Sequence, residues 1–559
     1  MRIQQCVGVA VLSAVWACGA SAPSTVSAPI KQSATTLATA SAGPRAWQAP
    51  EVLVKPSSFH GVHGIAVDAQ GRLLAGTIFG SEIWEVDRQT GAAKVFIGAP
   101  EGEADDIAIG PKGELAWTSL SQGQLHLREN DAAPIRTLVK DLPGMNGIAF
   151  DKKTGKLYAS QVFYGDALWE IDLKGGAPRA IAKDLGGFNG FEVGPDGQLY
   201  GPLWFKGQVV KINHKDGKVS VISAEFKTPA AANLDGKGNL WVLDTFTGEL
   251  SKVELKTGKK TVLQQLSTSL DNLAFAPDGT LYITNMADNS VQVVDPSGAS
   301  VKTLTSGKLA APSGLKLNSN TLFVADVFAF RTVDTETGEV HDVQRAYASK
   351  LAHPDAVGLG SKLIALTTWS SNHIQLLDRA TLSDVDVLKD FKVPMDAIPL
   401  DDGSLLVLEL ASGALVRASG AHYVDRKVIA SDLLGPTQMI LGRDGAVYIT
   451  EAAGRLTRVD LSSGSKTVVA DQLAMPEGLA ATPWGTFIVA ESAAKRLVSI
   501  DPVSKERITV AENLPIGLPA GRAGLPPAYL TTGVAVGPDG TVYVTCDVDG
   551  SLLRIRPQP

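Results

Sequence analysis

Twelve positions recur at a regular spacing along most of the chain, and most of them carry a polar side chain with an oxygen atom. Each stands just before a short apolar run, and the positions are His63, Asp105, Asn146, Asn189, Ala230, Asp271, Ser313, Asp355, Asp396, Thr437, Glu477 and Thr532. Successive positions are 40 to 43 residues apart, except the last interval of 55, which contains a Pro/Gly-rich insert at Asn513 to Tyr529. Carboxylate and amide oxygens are the ligands that a hard cation such as Ca²⁺ prefers. If the fold gathers them, they predict a divalent-metal site.

Each of these residues begins the same pattern of apolar runs and turns. In LDNLAFAPDGTLYITN, from Leu270 to Asn285, two apolar runs flank the turn Pro277-Asp278-Gly279, which predicts a β-hairpin. Similar sequences start at Met145 and Thr531. A repeat of roughly 41 residues with four predicted strands is typical of a propeller blade. The predicted fold class is therefore all-β, with twelve four-stranded blades.

The ends of the chain bear on how the blades close. Twelve blades exceed the usual number of about four to eight in one ring, so we predict two tandem six-bladed β-propellers. The last repeat has only three predicted strands, and Val52–Val54 is an extra strand ahead of the first repeat. We expect Val52–Val54 to complete the blade that starts at Asp271, and Val301–Leu304 to complete the blade that starts at Thr532. A single large ring closed by Val52–Val54 is the alternative. The predicted propellers span residues 50–297 and 298–559.

In a propeller the innermost strands line the central channel, so the six aligned residues of each ring converge at one end of it. The predicted metal ligands of the first ring are Asp105, Asn146, Asn189, Asp271 and the adjacent Asn272. Those of the second ring are Ser313, Asp355, Asp396 and Glu477. Carboxylates that face one channel repel each other unless a cation or protons neutralise them. The alternative is that these side chains cap strands and hydrogen-bond backbone groups, as Asp and Asn commonly do.

Three of these positions are also candidates for activating water. His63 is close enough to the first site to act as a general base, or it is a channel histidine bonded to its neighbours. Asp271 is the carboxylate alternative in the first ring, and Asp396 is the corresponding base in the second.

The loops between second and third strands are expected at the same end of the channel. In the first ring they carry aromatic residues, which predict an apolar wall around a polar floor. The alternative is that they pack the loops or meet the other ring. The predicted pocket residues are Phe79, Phe163, Tyr164, Trp204, Phe205 and Phe246. The second ring has mainly small residues there, which favours the first ring as the active one.

Across residues 50–559 the repeated sequence resembles NHL repeats and the senescence-marker/gluconolactonase family of six-bladed propellers. That family holds a divalent metal on a Glu, two Asn and an Asp at these channel positions. The resemblance implies Glu477 and Asp396 as ligands, with Ser313 and Asp355 where the family has its two Asn.

The first ring is more similar to the paraoxonase and phosphotriesterase propellers, through Ala104-Asp105-Asp106-Ile107, Asn189-Gly190 and Leu270-Asp271-Asn272-Leu273. This resemblance implies Asp105, Asn189 and Asp271 as calcium ligands. The chain departs from the pattern at Ala230, where a further Asn is expected.

Composition and the N-terminal sequence limit the possible partners and the cellular location of the protein. A net charge of −7 with 19% charged residues gives no basic surface for nucleic acid. Arg2 and the apolar run Val7 to Trp16 predict a signal peptide at residues 1–22, followed by a flexible linker at residues 23–49. Val15-Trp16-Ala17-Cys18 resembles a bacterial lipoprotein signal, which implies a lipid anchor at Cys18 and a periplasmic or membrane-anchored protein. An ordinary secreted protein is the alternative.

Two functions follow from these features and stay open. The first is a Ca²⁺-dependent hydrolase of lactones or related esters. The second is a non-catalytic NHL-like propeller that binds small molecules or a protein partner in the periplasm or at the cell surface. A serine hydrolase is disfavoured because no G-x-S-x-G context is present. A lyase of the kind that some NHL-like propellers perform would need a second metal-binding histidine, which the pattern does not supply.

Overall fold

The computed structural model describes residues 43–295, 297–519 and 530–558. The predicted signal peptide, Cys18 and most of the predicted linker therefore lie outside the described residues. Within them the chain forms twelve four-stranded antiparallel sheets, which confirms the predicted all-β propeller architecture. The helical elements are three short 3₁₀ turns, Trp369–Ser371, Ala421–Tyr423 and Ser492–Ala494, and no described helix is long and apolar enough to span a membrane.

The first ring consists of six blades that follow one another in the sequence. Its innermost strands contact those of the neighbouring blades, and the first blade packs against the sixth, so the ring is closed. Its strands, blade by blade, are β2 (Val62–Val67), β3 (Leu73–Thr77), β4 (Ile83–Val86), β5 (Ala93–Ile97); β6 (Asp106–Ile109), β7 (Leu115–Ser119), β8 (Gln124–Arg128), β9 (Arg136–Val139); β10 (Met145–Phe150), β11 (Leu157–Gln161), β12 (Ala167–Ile171), β13 (Arg179–Lys183); β14 (Glu192–Val193), β15 (Leu199–Leu203), β16 (Gln208–Ile212), β17 (Val219–Ser223); β18 (Pro229–Leu234), β19 (Asn239–Asp244), β20 (Glu249–Glu254), β21 (Lys260–Gln265); and β22 (Leu270–Phe275), β23 (Leu281–Asn285), β24 (Ser290–Val294), β25 (Val301–Thr305).

The second ring also has six blades, and its last blade takes one strand from the N-terminal end of the described chain. Its strands are β26 (Pro312–Asn318), β27 (Thr321–Asp326), β28 (Ala329–Asp334), β29 (Val340–Arg345); β30 (Ala356–Leu359), β31 (Leu363–Thr368), β32 (His373–Asp378), β33 (Asp384–Leu388); β34 (Pro394–Pro399), β35 (Leu405–Glu409), β36 (Ala414–Ser419), β37 (Asp425–Ala430); β38 (Pro436–Leu441), β39 (Val447–Glu451), β40 (Arg455–Val459), β41 (Lys466–Ala470); β42 (Pro476–Ala481), β43 (Phe487–Glu491), β44 (Arg496–Ile500), β45 (Arg507–Ala511); and β46 (Val534–Val536), β47 (Val542–Cys546), β48 (Ser551–Ile555), β1 (Glu51–Val54).

The strand that closes the second ring differs from our prediction. β1 pairs antiparallel with β48, with Glu51 opposite Arg554, and a salt bridge of 2.7 Å joins these two side chains. β25 stays in the sixth blade of the first ring beside β24. The expected exchange of Val52–Val54 and Val301–Leu304 between rings is therefore wrong, because only the last repeat lacks a fourth strand and has a free edge to cover.

The boundary between the rings moves with this correction. The first ring ends at β25 rather than near residue 297, and the second begins at β26. The first ring is closed by side-chain packing between its first and sixth blades, without a shared strand.

Burial within each blade follows the position of the strand. The inner three strands are mostly buried, and their apolar side chains form clusters between neighbouring blades, while fourth strands such as β17 are largely exposed. The turns before fourth strands are capped by aspartates, as expected. The Asp334 carboxylate accepts the amides of Glu336 (3.0 Å) and Thr337 (2.8 Å), and Gly338 adopts a φ of 71°, which glycine tolerates best.

Carboxylates at or just after the ends of second strands have a recurring structural role. Each accepts backbone amides from the segment that leads into the first strand of its own blade. Asp244, for example, accepts the amides of Lys227 (2.6 Å) and Thr228 (3.1 Å). These bonds hold the loops at the channel end of the blade and satisfy buried backbone donors. The residues with this role are Asp244, Asp326, Glu409, Glu451, Glu491 and Asp547.

Candidate functional site

The mouth of the first ring's channel is formed by residues that precede or begin its innermost strands. We call the six residues at this level the mouth layer: His63, Asp105, Asn146, Asn189, Ala230 and Asp271. All are buried except Asp271, which is half-buried. Because blade one lies between blades six and two, His63 lies between the two carboxylates of Asp271 and Asp105 around the ring.

One residue further along each strand, Asp106 and Asn272 form a hydrogen-bonded pair across the channel, here called the plug. The Asn272 side-chain amide donates to Asp106 Oδ1 (2.8 Å), which joins blades six and two, and the Ile148 amide donates to Asp106 Oδ2 (3.1 Å). Asn272 Oδ1 accepts the amide of Leu273 (2.8 Å). Asn272, a predicted metal ligand, thus lies below the mouth layer with both ends of its amide engaged. The site above it is a shallow one.

Three oxygen-bearing groups of the mouth layer differ from this plug. Within the described residues no hydrogen bond reaches the carboxylates of Asp105 or Asp271, and the buried Oδ1 of Asn146 has no partner. Burial raises the pKa of Asp271 to about 8, and the charge of Asp106 adds to this effect. Burial raises the pKa of Asp105 well above its ordinary value, reinforced by the charge of Asp271. The two acids therefore favour protonation or a cation near neutral pH.

Asn189 is placed at the same level and is partly engaged. Its Oδ1 accepts the amide of the following Gly190 (2.8 Å). A carbonyl oxygen has two lone pairs, so this atom retains the capacity to bind a second partner. Ala230 contributes only a methyl group, so blade five leaves the layer without a ligand on that side.

The geometry of His63 assigns its tautomer. Nδ1 lies 2.8 Å from the carbonyl oxygen of Gly61, which accepts hydrogen bonds only, so Nδ1 carries the proton and Nε2 carries the lone pair. The ring packs edge-to-face against Phe328 of the second ring, with 5.3 Å between centroids. Burial lowers the pKa of His63 to about 4. His63 is therefore neutral at physiological pH, with Nε2 as its proton-accepting atom.

The aromatic residues predicted around the pocket fall into two groups. Those on blades three to five lie on an open side of the ring, and Phe79 on blade one is covered by the second ring. On blades three to five, Phe163, Tyr164, Phe205 and Phe246 are 40%, 50%, 60% and 36% exposed. Phe163 packs edge-to-face against both Phe205 and the buried Trp204, with centroids 5.8 and 5.5 Å apart. We call these five residues the aromatic rim. On blade one, Phe79 packs instead against Phe328 of the second ring, with centroids 5.5 Å apart.

The second ring supplies a segment, not predicted from the sequence, that contacts the first ring both at Ser269 ahead of blade six and at Trp204 on blade four. Residues 346–355, here called the roof segment, connect β29 to β30. Its Tyr347 packs edge-to-face on Trp204 of the first ring, with centroids 5.4 Å apart, and its hydroxyl lies 2.9 Å from Nε2 of His353. One signal was available in the sequence: this connection has ten residues, whereas five separate β33 from β34.

The mouth of the second ring is filled by its own side chains. The Thr531 hydroxyl lies within hydrogen-bond distance of Ser313 Oγ (2.8 Å), Gln438 Nε2 (3.4 Å) and the Asp355 carbonyl (3.4 Å). These partners come from three different blades, so Thr531 lies across the channel. Ser313, a predicted ligand, also accepts the Thr531 amide (2.9 Å) and is committed to this plug.

Asp396 does not occupy the level predicted for it. It lies opposite Leu408 in the β34–β35 pair, as Asp106 lies opposite Thr118 in β6–β7, so it corresponds to the plug position of the first ring. Its two carboxylate oxygens accept the amides of Ala397 (2.8 Å) and Met439 (3.0 Å). A carboxylate held by two backbone donors bridges blades, and this role explains Asp396 without catalysis.

The two remaining acids of the second ring lie on opposite sides of its channel, in the second and fifth blades of that ring. Asp355 accepts the amide of Trp369 (3.1 Å), and Glu477 accepts the amide of Thr532 (2.8 Å). Burial and the charge of Asp547 raise the pKa of Glu477 to about 8. The four predicted ligands of this ring are therefore not brought together around one point.

The donor set of the first mouth layer fits a hard divalent cation. Two carboxylates, one buried and one half-buried, and an amide oxygen have no donor among the described residues, and these are groups that Ca²⁺ neutralises and satisfies. Among the described residues, no group of three or more His, Cys, Asp or Glu side chains has the arrangement of a metal site. An ion here would therefore be held by Asp105, Asp271 and Asn146, with Asn189 as the further amide.

Comparisons with known proteins add no family assignment. No family model matches the chain, and no curated protein matches it. Among solved structures, the chain is similar to a catalytically inactive virginiamycin B lyase from Staphylococcus aureus with quinupristin, at 15% identity and a TM-score of 0.37, over 52% of this chain and 98% of that one. A streptogramin B lyase gives 17% identity and a TM-score of 0.27, over 47% and 90%. The tricorn protease gives 13% identity and a TM-score of 0.36, over 88% and 46%.

Proposed function

We propose that the chain is a metal-dependent hydrolase of lactones or related esters, with its active site at the mouth of the first ring. One observation carries the proposal: the mouth layer gathers Asp105, Asp271 and the Asn146 amide oxygen without hydrogen-bond donors from the described residues. Buried polar groups are normally satisfied, so such a cluster calls for a ligand. A divalent cation, most simply Ca²⁺, matches its charge and its oxygen chemistry.

The residues around this cluster suit attack of water on a carbonyl carbon. A bound cation would polarise the substrate carbonyl oxygen. His63 accepts a proton from the attacking water at Nε2, the nitrogen left free by its bond to Gly61. That proton then passes to the alkoxide oxygen as the ester bond breaks, which yields a carboxylic acid and an alcohol. The aromatic rim packs against the apolar part of the substrate.

Hydrolysis of δ-valerolactone by the full chain, with Ca²⁺ and with a chelator, tests the proposal. We expect Ca²⁺-dependent turnover that falls at least a hundredfold in Asp105→Asn, because the cation loses a carboxylate ligand. Asp396→Asn is the matched control, since it changes a buried aspartate of the second ring, and we expect turnover within about threefold of wild type. Turnover that is unaffected by chelation, or no turnover of any lactone in a panel, would reject the proposal.

The exposed rim favours a second candidate, a propeller that binds small molecules without chemistry. Phe205 and Tyr164 expose 60% and 50% of their surfaces beside the mouth layer, which suits an apolar ligand as well as a substrate. Saturable binding of a lactone by calorimetry with no hydrolysis over several hours would favour this candidate over the enzyme.

Export is part of the proposal, although residues 1–22 lie outside the described residues. The motif that ends at Cys18 supports a lipid-anchored form. Fractionation of bacteria that express the chain should place it with the membranes, and Cys18→Ser should release it. An equal membrane fraction for both would contradict the anchor.

A further inference from the structure

We infer that the second ring completes the first ring's site, with Tyr347 of the roof segment and Trp204 forming a wall that binds the ring of an uncharged aromatic or alicyclic substrate. This inference rests on the proposed function for its location but concerns a different part of the site. It assigns the tandem arrangement a role that neither ring can fulfil alone.

The roof segment is fixed to the first ring at its start. Arg345 donates to the carbonyl of Thr268 (3.0 Å) and forms an ion pair with Asp288, both in the first ring. The Ser269 hydroxyl donates to the carbonyl of Ala346 (2.9 Å). These bonds connect the base of β22 to the end of β29, so the position of the roof segment is set by the first ring as much as by the second.

Tyr347 is held in one orientation by contacts on two sides. Its ring lies edge-to-face on Trp204, with a centroid distance of 5.4 Å and an interplanar angle of 84°, and edge-to-face on His353 at 5.2 Å. Its hydroxyl lies 2.9 Å from Nε2 of His353. A side chain fixed by contacts on two sides binds a ligand with little further loss of conformational freedom.

The backbone at this wall adopts conformations that are rare for aromatic residues. Tyr347 has a φ of 64° and Phe163 a φ of 67°, both in the left-handed region that disfavours side chains with a Cβ. Such residues persist where surrounding contacts over-determine them, and they cluster at functional sites. Both aromatic residues pack on Trp204, from opposite rings of the molecule.

The wall is next to the acidic cluster. The hydrogen bond from the Ser269 hydroxyl to the Ala346 carbonyl (2.9 Å) places the residue before Tyr347 beside the residue two positions before Asp271. Tyr347 and His353 are half-buried, so each keeps part of its surface for a ligand. A substrate that bound here would meet aromatic surface on one side and two acids on the other. The aromatic surface of the wall offers no charged partner, so it suits the uncharged, apolar ring of a substrate.

Among the described residues of the second ring, Thr531 lies across the channel and no comparable site is left open. Its contribution to small-molecule binding is therefore the roof segment. The second ring packs on blades one and six of the first ring, while the exposed aromatic residues lie on blades three to five: Phe163, Tyr164, Phe205 and Phe246.

Calorimetric titration of the full chain with 3,4-dihydroquinolin-2-one tests the wall without requiring hydrolysis, because this lactam has a fused benzene ring and resists hydrolysis. We expect wild type to bind it, and Tyr347→Ala to bind it at least tenfold more weakly. Tyr347→Phe, which keeps the ring and loses only the hydroxyl, should bind within about threefold of wild type. Tyr423→Ala, which removes a half-buried aromatic ring elsewhere in the second ring, should bind like wild type.

Kinetics with dihydrocoumarin and δ-valerolactone, which share a six-membered lactone and differ by the benzene ring, then separate the two proposals. Tyr347→Ala should lower kcat/KM at least tenfold for dihydrocoumarin and at most threefold for δ-valerolactone. Binding of the lactam without hydrolysis of either lactone would reject the hydrolase and retain the wall. No lactam binding by wild type, or equal binding by Tyr347→Ala, would overturn the wall whatever the activity.

Discussion

Replacing Asp271 by asparagine is expected to raise stability in the absence of Ca²⁺, and Ca²⁺ is expected to remove most of this gain. In the folded chain burial raises the pKa of Asp271 from an ordinary 3.8 to about 8. The folded state therefore binds this proton more tightly than the unfolded state, and stability falls as pH rises from about 4 to about 8. Asparagine is uncharged at every pH and has nearly the same shape, so the variant avoids this loss.

The size of the effect follows from the pKa. Since one pKa unit corresponds to about 1.4 kcal/mol, full ionisation of Asp271 costs about 6 kcal/mol at pH 8.5. Water entry and local relaxation reduce the cost of a buried charge to several kcal/mol, and we expect Asp271→Asn to be about 2–4 kcal/mol more stable than wild type in chelator. At pH 5, where Asp271 is protonated, the two proteins should differ by less than about 1 kcal/mol.

Differential scanning calorimetry in chelator and in Ca²⁺ measures both effects. For a unit of roughly 250 residues, 2–4 kcal/mol corresponds to an increase in Tm of roughly 5–10 °C in chelator at pH 8.5. Ca²⁺ at a hundred times its Kd should stabilise wild type by about 2.7 kcal/mol and leave the variant unchanged. Asp278→Asn, in the same blade, is the control: Asp278 is exposed and hydrogen bonds lower its pKa to about 2, so its loss should not raise Tm. An Asp271→Asn variant that is less stable than wild type in chelator at pH 8.5 would refute the reasoning.

Further predictions concern the pH dependence of the site, the amide ligand and ring closure. Ca²⁺ binding must displace the proton of Asp271, so its Kd measured by calorimetry should fall about tenfold per pH unit from pH 6 to 8 and then level off; a flat profile would show that no proton is displaced. Asn146→Ala should weaken Ca²⁺ binding about tenfold without lowering Tm in chelator, because the Asn146 amide oxygen has no partner to lose; an equal Kd would remove Asn146 from the ligand set. Val54→Asp places a charge in the core beside β48 and should destabilise the second ring by more than about 3 kcal/mol. Limited proteolysis should then cleave the variant within residues 312–555 and not within residues 62–305. Cleavage in both rings alike would contradict closure by β1.

The repeat predicted the architecture well because each blade satisfies its own backbone hydrogen bonds. A period of roughly 41 residues with turns such as Pro277-Asp278-Gly279 is enough to count blades, and the twelve sheets follow that count. Ring closure is a different problem, because it depends on which strand edge is left without a partner. β1 and β25 look alike in sequence, and only the missing fourth strand of the last blade decides where β1 pairs.

The sequence predicted the level of some site residues in the channel and not of others, because that level depends on the exact position along the first strand. His63, Asp105, Asn146, Asn189 and Asp271 occupy the level expected of them, because the strand that follows each one fixes its position. Asp396 and Asn272 fall one residue deeper, where a shift of one position moves a side chain from the mouth into the plug.

The roof segment could not be placed from the repeat at all. Tyr347 and His353 lie in a connection between blades, and connections carry no periodic signal. Their relation to Trp204 depends on how the two rings pack against each other, which no local pattern in the sequence encodes. The length of the connection was the only indication that it does more than join two blades.

Calorimetric titration of the full chain with Ca²⁺ at pH 8.5 decides whether the mouth of the first ring binds a metal ion, because the stoichiometry counts the ions and the variants locate them. The account predicts one bound ion in wild type, none in Asp105→Asn, and one in Asp355→Asn, which changes the corresponding aspartate in the plugged second ring. Undiminished binding by Asp105→Asn, or loss of the ion in Asp355→Asn, would contradict a metal site at the mouth of the first ring.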